Sequence, residues 1–141
     1  MNEFNIKLGD WTTLQKEAQA IRYKVFVIEQ KIPADLEWDA MDAQCLHAVA
    51  YDHDMQPVGT GRLLPDGHIG RMAVTETARG TGVGAAILRL LMEQARLRGQ
   101  SGVQLNAQVT AESFYQRAGF AREGALFEEA GIPHVHMTRH F

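Results

Sequence analysis

The sequence is poor in cysteine, in excess positive charge and in long apolar runs, and each scarcity removes a class of protein. Cys45 is the only cysteine in 141 residues, so neither an intramolecular disulfide nor a cysteine-built zinc site is available. The chain opens on Asn2-Glu3-Phe4-Asn5 in place of a basic and then apolar leader, and a reducing cytoplasm is the expected compartment. No stretch approaches the roughly 18 apolar residues that cross a bilayer. The 14 Lys and Arg against 17 Asp and Glu leave a net charge of -3 with the histidines neutral, so no general basic field gathers nucleic acid or anionic lipid. Neither partner is expected. What the chain does have is 13 glycines, 6 histidines and 45% hydrophobic residues. Its length predicts one domain, residues 1–141.

Phe4-Asn5-Ile6-Lys7-Leu8 alternates as a half-buried strand does, and Gly9-Asp10 ends it. From Trp11 the period becomes helical through Leu14, Ala18, Ile21 and Val25, with Asp10 as N-cap and Glu29 as the far end. Residues 30–44 carry Pro33 and four acids, Asp35, Glu37, Asp39 and Asp42, without a period, and read as an irregular connection with room for a short helical turn. Leu46 to Asp52, Val58 to Leu64 and His68 to Val74 are three strands joined by turns. A glycine-rich loop leads into a helix over Ala85 to Arg98, stopped by Gly99. Val103 to Asn106 is a strand, Ala111 to Arg117 a short helix, and Phe120 to Phe127 and Val135 to Phe141 two last strands around a turn at Gly131-Ile132-Pro133. The order β-α-β-β-β-α-β-α-β-β describes a mixed α/β domain.

Strand, glycines and helix in succession make an anion-binding arrangement, because the first amides of a helix lack intrahelical partners and its dipole favours negative charge. The segment Arg79-Gly80-Thr81-Gly82-Val83-Gly84 is not a nucleoside-triphosphate loop, since Ala85-Ala86 stands where Lys-Ser/Thr is required. Nor is it a dinucleotide fingerprint: Ile87 occupies the third glycine position, and Gln104 to Gln108 supplies no ribose-binding acid.

The same six residues resemble the Arg/Gln-x-x-Gly-x-Gly/Ala pyrophosphate loop of the GNAT acetyl-CoA-dependent N-acetyltransferases, preceded at the usual distance by the strand Arg71-Met72-Ala73-Val74. Asn106-Ala107 and then Phe114-Tyr115-Gln116-Arg117-Ala118-Gly119-Phe120 resemble a second motif of that family. Arg22 to Gln30, Leu36-Glu37-Trp38-Asp39, Asp42 and Gly131-Ile132-Pro133-His134 before Met137 are similar to its ElaA-like subgroup. The resemblance implies the GNAT fold with a sheet splayed between its fourth and fifth strands. It also implies acetyl transfer to an amine in a ternary complex with acetyl-CoA as co-substrate, and dimers as a common state. The late strands offer edges for such pairing.

Acyl transfer from a thioester requires an amine that loses its proton, stabilisation of the oxyanion and a proton for the departing thiolate. By the resemblance, backbone groups of Met72, Ala73 and Val74 line the thioester and pantetheine, and Arg79, Gly80, Thr81, Gly82, Val83 and Gly84 hold the pyrophosphate. Asn106, at the end of its strand, offers its amide to pantetheine. Tyr115 matches the acid for the leaving thiolate, its phenol being protonated at neutral pH with an ordinary pKa of about 10; it also reads as a core aromatic beside Phe114 and Phe120.

Among His47, His53, His68, His134, His136 and His140 the resemblance singles out His134. The Gly-Ile-Pro-His-x-x-Met stretch is similar to that of glyphosate N-acetyltransferase, where the histidine takes the substrate proton, and Pro133 would restrict the loop presenting it. Glu29, at a helix end, is the alternative base, acting through water. Arg22 reads either as a binder of an acidic acceptor or as the partner of the acids in 35–42. Those acids would favour a cationic amine if they faced the pocket. His47, Asp39 and Glu29 lack metal-site spacing, and no metal is expected. The leading expectation is a small-molecule primary amine as acceptor. A non-catalytic acyl-CoA-binding or regulatory domain and a protein N-acetyltransferase are the other readings.

Overall fold

The structure is a computed structural model that describes residues 4–37 and 39–141. Asn2, Glu3 and Trp38, the last from the Leu36–Asp39 motif, lie outside the described residues. Strands β1 (Phe4–Gly9), β2 (Leu46–Asp52), β3 (Pro57–Leu63) and β4 (Ile69–Val74) form an antiparallel sheet in that order. A second sheet holds β5 (Gly102–Gln108), β6 (Ala121–Arg122), β7 (Phe127–Glu129) and β8 (Ile132–His140). Its middle strand is β8, antiparallel to β5 on one side and to β6 and β7 on the other. The helices are α1 (Trp11–Arg22), α2 (Ala34–Glu37), α3 (Val83–Leu97) and α4 (Glu112–Arg117).

Asp10 caps α1 by accepting from the Thr13 N–H at 2.9 Å, which satisfies one of the helix's orphan donors. Its apolar stripe of Leu14, Ala18 and Ile21 packs with Val49, Tyr51 and Ala73 on one face of the first sheet. The stripe of α3, Val83, Ile87, Leu88, Leu91 and Ala95, belongs to the larger core, with Ala48, Ala50 and Leu63 from the first sheet and Leu105, Val135 and Met137 from the second. Glycines on β3 set how closely α3 lies. A Cβ at Gly59 would stand 2.7 Å from Val83 Cγ1, and one at Gly61 would stand 2.5 Å from Met72 Sδ and 3.1 Å from Leu91 Cδ1. The start of α3 is thereby pressed onto β3 and β4.

Several boundaries differ from expectation for identifiable reasons. The first helix reaches Glu29, but Tyr23–Glu29 is π-helical, closed by Gln30 N–H donating to Val25 O at 3.1 Å. This wider turn buries the adjacent Val25 and Phe26 together; π-segments of this kind concentrate at functional sites. Gly82, at φ 90°, starts α3 two residues before Ala85. The expected strand over Phe120 to Phe127 is two short pieces, interrupted at Gly124 with φ 88°. The final turn is centred on Ala130 and Gly131, at φ 53° and 75°, both left-handed as a two-residue hairpin requires. Ile132, Pro133 and His134 therefore lie in β8 and not in a turn.

Candidate active site

Among the described residues one isolated β-bridge links the two sheets. His68 and Gln104 form an isolated parallel bridge, with Gln104 N–H donating to Gly67 O at 3.1 Å, and beyond it β4 and β5 separate. Across the β3–β4 ladder, Thr75 N–H donates to Val58 O at 2.9 Å. Backbone groups alternate sides along a strand, so those of Val74, and of Met72 two residues earlier, face the gap, while those of Ala73 face Thr60 on β3. The pairing slips between Thr60 and Arg62, and Arg71 takes φ 50° at this bulge, a conformation costly for a residue that carries a Cβ and one that clusters at functional positions.

Past β4, Gly80 and Gly82 sit at φ 78° and 90°, and a Cβ at either would meet nothing within 4 Å. The Thr81 hydroxyl donates to the Ala78 carbonyl. The first bond within α3 runs from Ala86 N–H to Gly82 O at 3.0 Å, and no side chain caps the helix. Its opening amides thus face an open glycine cradle. Val83, Gly84, Phe114 and Tyr115 line a cavity of about 920 Å³ here.

A second cavity, of about 1030 Å³, lies on the other side of the gap. Met72, Ala73, Val74, Arg79, Ala111 and Tyr115 line both. Tyr115 stands edge-on to Phe114 and Phe120, with ring centroids 5.0 and 6.0 Å away. Burial pushes its phenol up to about 12. Its ring belongs to the core, and the residue borders the junction of the two cavities.

His134 lines the second cavity from β8. It is bracketed by Gln108 on β5 and Phe127 on β7, and its ring stacks on Phe127 at 5.9 Å. The expectation of a Pro133-restricted loop is corrected: strand pairing on both sides holds the residue. Nδ1 lies 2.6 Å from the Ile132 carbonyl and must donate to it, which leaves Nε2 as the acceptor in the neutral ring, 3.6 Å from Glu129 Oε2. Asn106 is not at a strand end, because β8 pairs with β5 as far as Gln108. Its Oδ1 accepts from His136 Nδ1 at 2.8 Å. Glu29 is ion-paired with Arg79, Oε1 to Nη2 at 2.7 Å, while Arg79 Nε donates to Val74 O at 3.0 Å.

The architecture finds counterparts among known proteins. Residues 13–141 match the family model described as "Acetyltransferase (GNAT) domain". The chain belongs to the GNAT acetyltransferase family. It is similar to YjcF of Bacillus subtilis (strain 168), described as an uncharacterized N-acetyltransferase, at 39% identity over 128 residues, 88% of this chain and 91% of YjcF. Escherichia coli (strain K12) ElaA is 32% identical over 127 residues, 84% and 82% of the two chains, and its crystal structure superposes with a TM-score of 0.85 over 96% and 99%. An acyl-CoA N-acyltransferase from Pseudomonas aeruginosa superposes with a TM-score of 0.80 at 32% identity, covering 99% of each chain. The protein is thus an acyltransferase with the GNAT fold.

In this GNAT enzyme Glu37, Asp39 and Asp42 are ion-paired with arginines. Arg22, 1% exposed, donates to Glu37 Oε1 at 2.6 Å and to Asp42 Oδ1 at 2.9 Å. Arg62 donates to Asp39 Oδ1 and Asp42 Oδ1, both at 2.8 Å, and Arg71 to Asp39 Oδ2 at 3.0 Å. Hydrogen bonds from Arg62 hold the Asp39 carboxyl down at about 2, whereas burial pushes Glu37 above the ordinary carboxylate range despite Arg22. Glu37 and Asp39 line the second cavity with their charge balanced by these arginines, and Arg22 is an ion-pair partner. His47 is buried, its Nε2 donating to Asp42 O at 2.8 Å. Among the described residues no group of three or more His, Cys, Asp or Glu could hold a metal, and no helix is long and apolar enough to cross a membrane. The parts of the site missed from sequence are the Arg62–Arg71 half of this network and the Glu29–Arg79 pair; the balance of three arginines (22, 62, 71) against three acids (37, 39, 42) is the signal the sequence carries for the network.

Proposed function

We propose that the protein transfers the acetyl group of acetyl-CoA to the primary amine of a small molecule by direct attack in a ternary complex, within a single domain acting in the cytoplasm. The observation that carries this reading is the meeting of two cavities across the β4–β5 gap, with Tyr115 and the Met72–Val74 backbone shared between them. The open cradle at Gly80 and Gly82 and the uncapped amides of α3 fit a diphosphate. The gap-facing backbone of Met72 and Val74 fits an amide-bearing arm such as pantetheine. Acetyl-CoA, when bound, supplies an acetyl group already activated as a thioester.

The chain's own residues do the rest. His134 Nε2, the acceptor nitrogen of the neutral ring because Nδ1 donates to Ile132 O, takes the proton of the attacking amine from the acceptor cavity. Its position within a doubly paired strand fixes the ring, which is the positioning that acyl transfer needs. Glu29 is the alternative base, acting through water once its carboxylate is free of Arg79. Tyr115, protonated because burial holds its phenol at about 12, gives a proton to the leaving sulfur. Asn106 keeps its amide N–H₂ for the cofactor arm, its oxygen being occupied by His136.

The test is release of free CoA, read with a thiol reagent, from acetyl-CoA and a panel containing a polyamine, amino acids and a peptide. Turnover with a small amine, together with a rise in Tm caused by acetyl-CoA but not by ATP or NAD, is the expected result. Binding without release from any amine would make the protein a non-catalytic acyl-CoA-binding domain. Turnover confined to the peptide would make it a protein acetyltransferase.

A further inference from the structure

The Arg79 side chain stands where the cofactor arm has to pass. Its Nε occupies the Val74 carbonyl at 3.0 Å, which with that of Met72 faces the gap from β4. Its Nη2 is held by Glu29 Oε1 at 2.7 Å, and this hydrogen bond is the main cause raising the Arg79 pKa. One guanidinium thus closes the gap from the loop side and neutralises a carboxylate on the acceptor side. The arrangement differs from the network behind it. Arg22 and Glu37 are 1% and 2% exposed and have no room to exchange partners, whereas Arg79 and Glu29 are 43% and 35% exposed.

Resting on the function proposed above, we infer that Glu29 is a displaceable counter-ion that keeps Arg79 folded over Val74 O until the diphosphate of the cofactor takes the guanidinium away. The moving part is Arg79. Glu29 ends the π-helix, and the next residue, Gln30, exchanges amide hydrogen bonds with Gln108 at the end of β5, at 2.8 and 3.4 Å. That pair pins the helix end to the second sheet. Arg79 follows the single 3₁₀ turn Glu76–Ala78, and next to it lies the Gly80–Gly82 cradle in which a diphosphate fits.

When Arg79 swings to the phosphates, two things happen together. The Val74 carbonyl becomes available to the amide N–H groups of the cofactor arm, and the Glu29 carboxylate becomes an unpaired negative charge on the acceptor cavity wall. A bound cofactor therefore improves the site for a cationic amine, and by linkage the amine improves retention of the cofactor. Glu29 supplies the negative charge that the acids at 37, 39 and 42 do not.

The competition is measurable with CoA alone, without turnover, by calorimetric titration of the wild type, Glu29→Gln and Glu93→Gln. Glu93 pairs with Arg96 on the exposed side of α3, so Glu93→Gln makes the same change in net charge without touching Arg79. Removing an exposed ion pair is expected to tighten CoA binding by about two- to five-fold in Glu29→Gln, with Glu93→Gln unchanged. CoA affinity in Glu29→Gln that is equal to or weaker than wild type, or an equal gain in both variants, overturns the latch while leaving the proposed function standing. A wild type that does not bind CoA removes the proposed function and the latch together.

Discussion

Replacing Arg22 by methionine removes the central donor of the charge network while keeping most of its buried volume. Glu37 and Asp42 each lose two carboxylate hydrogen bonds from Arg22, and only Glu37 is left without a close partner. Asp42 keeps Arg62 Nη1 at 2.8 Å, whereas Glu37 loses Nε at 2.6 Å and Nη2 at 3.1 Å and is left with Arg71 Nε at 3.5 Å. Breaking one side of a buried ion pair costs about 3–5 kcal/mol, a large part of a small domain's stability.

The cost depends on pH in a definite direction. Burial already raises Glu37 above its ordinary value of 4.5, and Arg22 is the main group pulling it back, so Arg22→Met raises it further. A carboxyl whose folded pKa lies above its unfolded pKa binds a proton in the native state that the unfolded chain releases. Its contribution is therefore most favourable below the unfolded value and is lost as pH rises through the folded one. The deficit of Arg22→Met relative to wild type should be smallest near pH 5 and grow toward pH 8. Adding Glu37→Gln should flatten that dependence and recover about 1–3 kcal/mol at pH 8. Urea unfolding followed by circular dichroism at both pH values measures this. A deficit equal at both pH values, with no recovery in the double variant, refutes the assignment of Glu37 as the stranded charge.

Tyr115→Phe should lower kcat by about 10²–10⁴ with CoA affinity within about twofold of wild type. Because the phenol is held at about 12, an alkaline limb in the kcat profile below about pH 10 should persist in the variant; its disappearance assigns the limb to Tyr115 and contradicts the burial argument. His134→Ala should cut kcat/KM for the acceptor by about 10²–10⁴ at saturating acetyl-CoA, and an unchanged value moves the base to Glu29. Gly61→Ala should destabilise the fold by about 1–3 kcal/mol, since its Cβ would stand 2.5 Å from Met72 Sδ; unfolding in guanidinium chloride identical to wild type would show that α3 withdraws at no cost.

The elements legible in the sequence are those whose signal is local. Alternation over Phe4 to Leu8, the Asp10 cap and the apolar stripe of α3 each follow from the chemistry of neighbouring residues, and each is present. The motif around Gly80, Gly82 and Tyr115 was legible because glycine conformation and a helix start are local too. What was not legible depends on partners far apart in the chain. Asn106 read as a strand end because Gly102–Gln108 has few apolar residues, yet β8 pairs with all of it. His134 read as a loop residue because Pro133 is a poor strand former, but the turn is completed one step earlier by left-handed Ala130 and Gly131. Acids at 37, 39 and 42 read as a free negative run because Arg62 and Arg71 approach them only after β3 and β4 have folded back.

The lone bridge between His68 and Gln104 gives the molecule the mechanics of shears. Two rigid blades, each a hydrogen-bonded sheet, share one rivet at the closed end of the gap, and Val74 and Gln108 stand toward its open end. Beyond the rivet no ladder hydrogen bond crosses the gap among the described residues, so side chains set its width: the core that α3 shares with both blades and the Gln30–Gln108 pair at the open end.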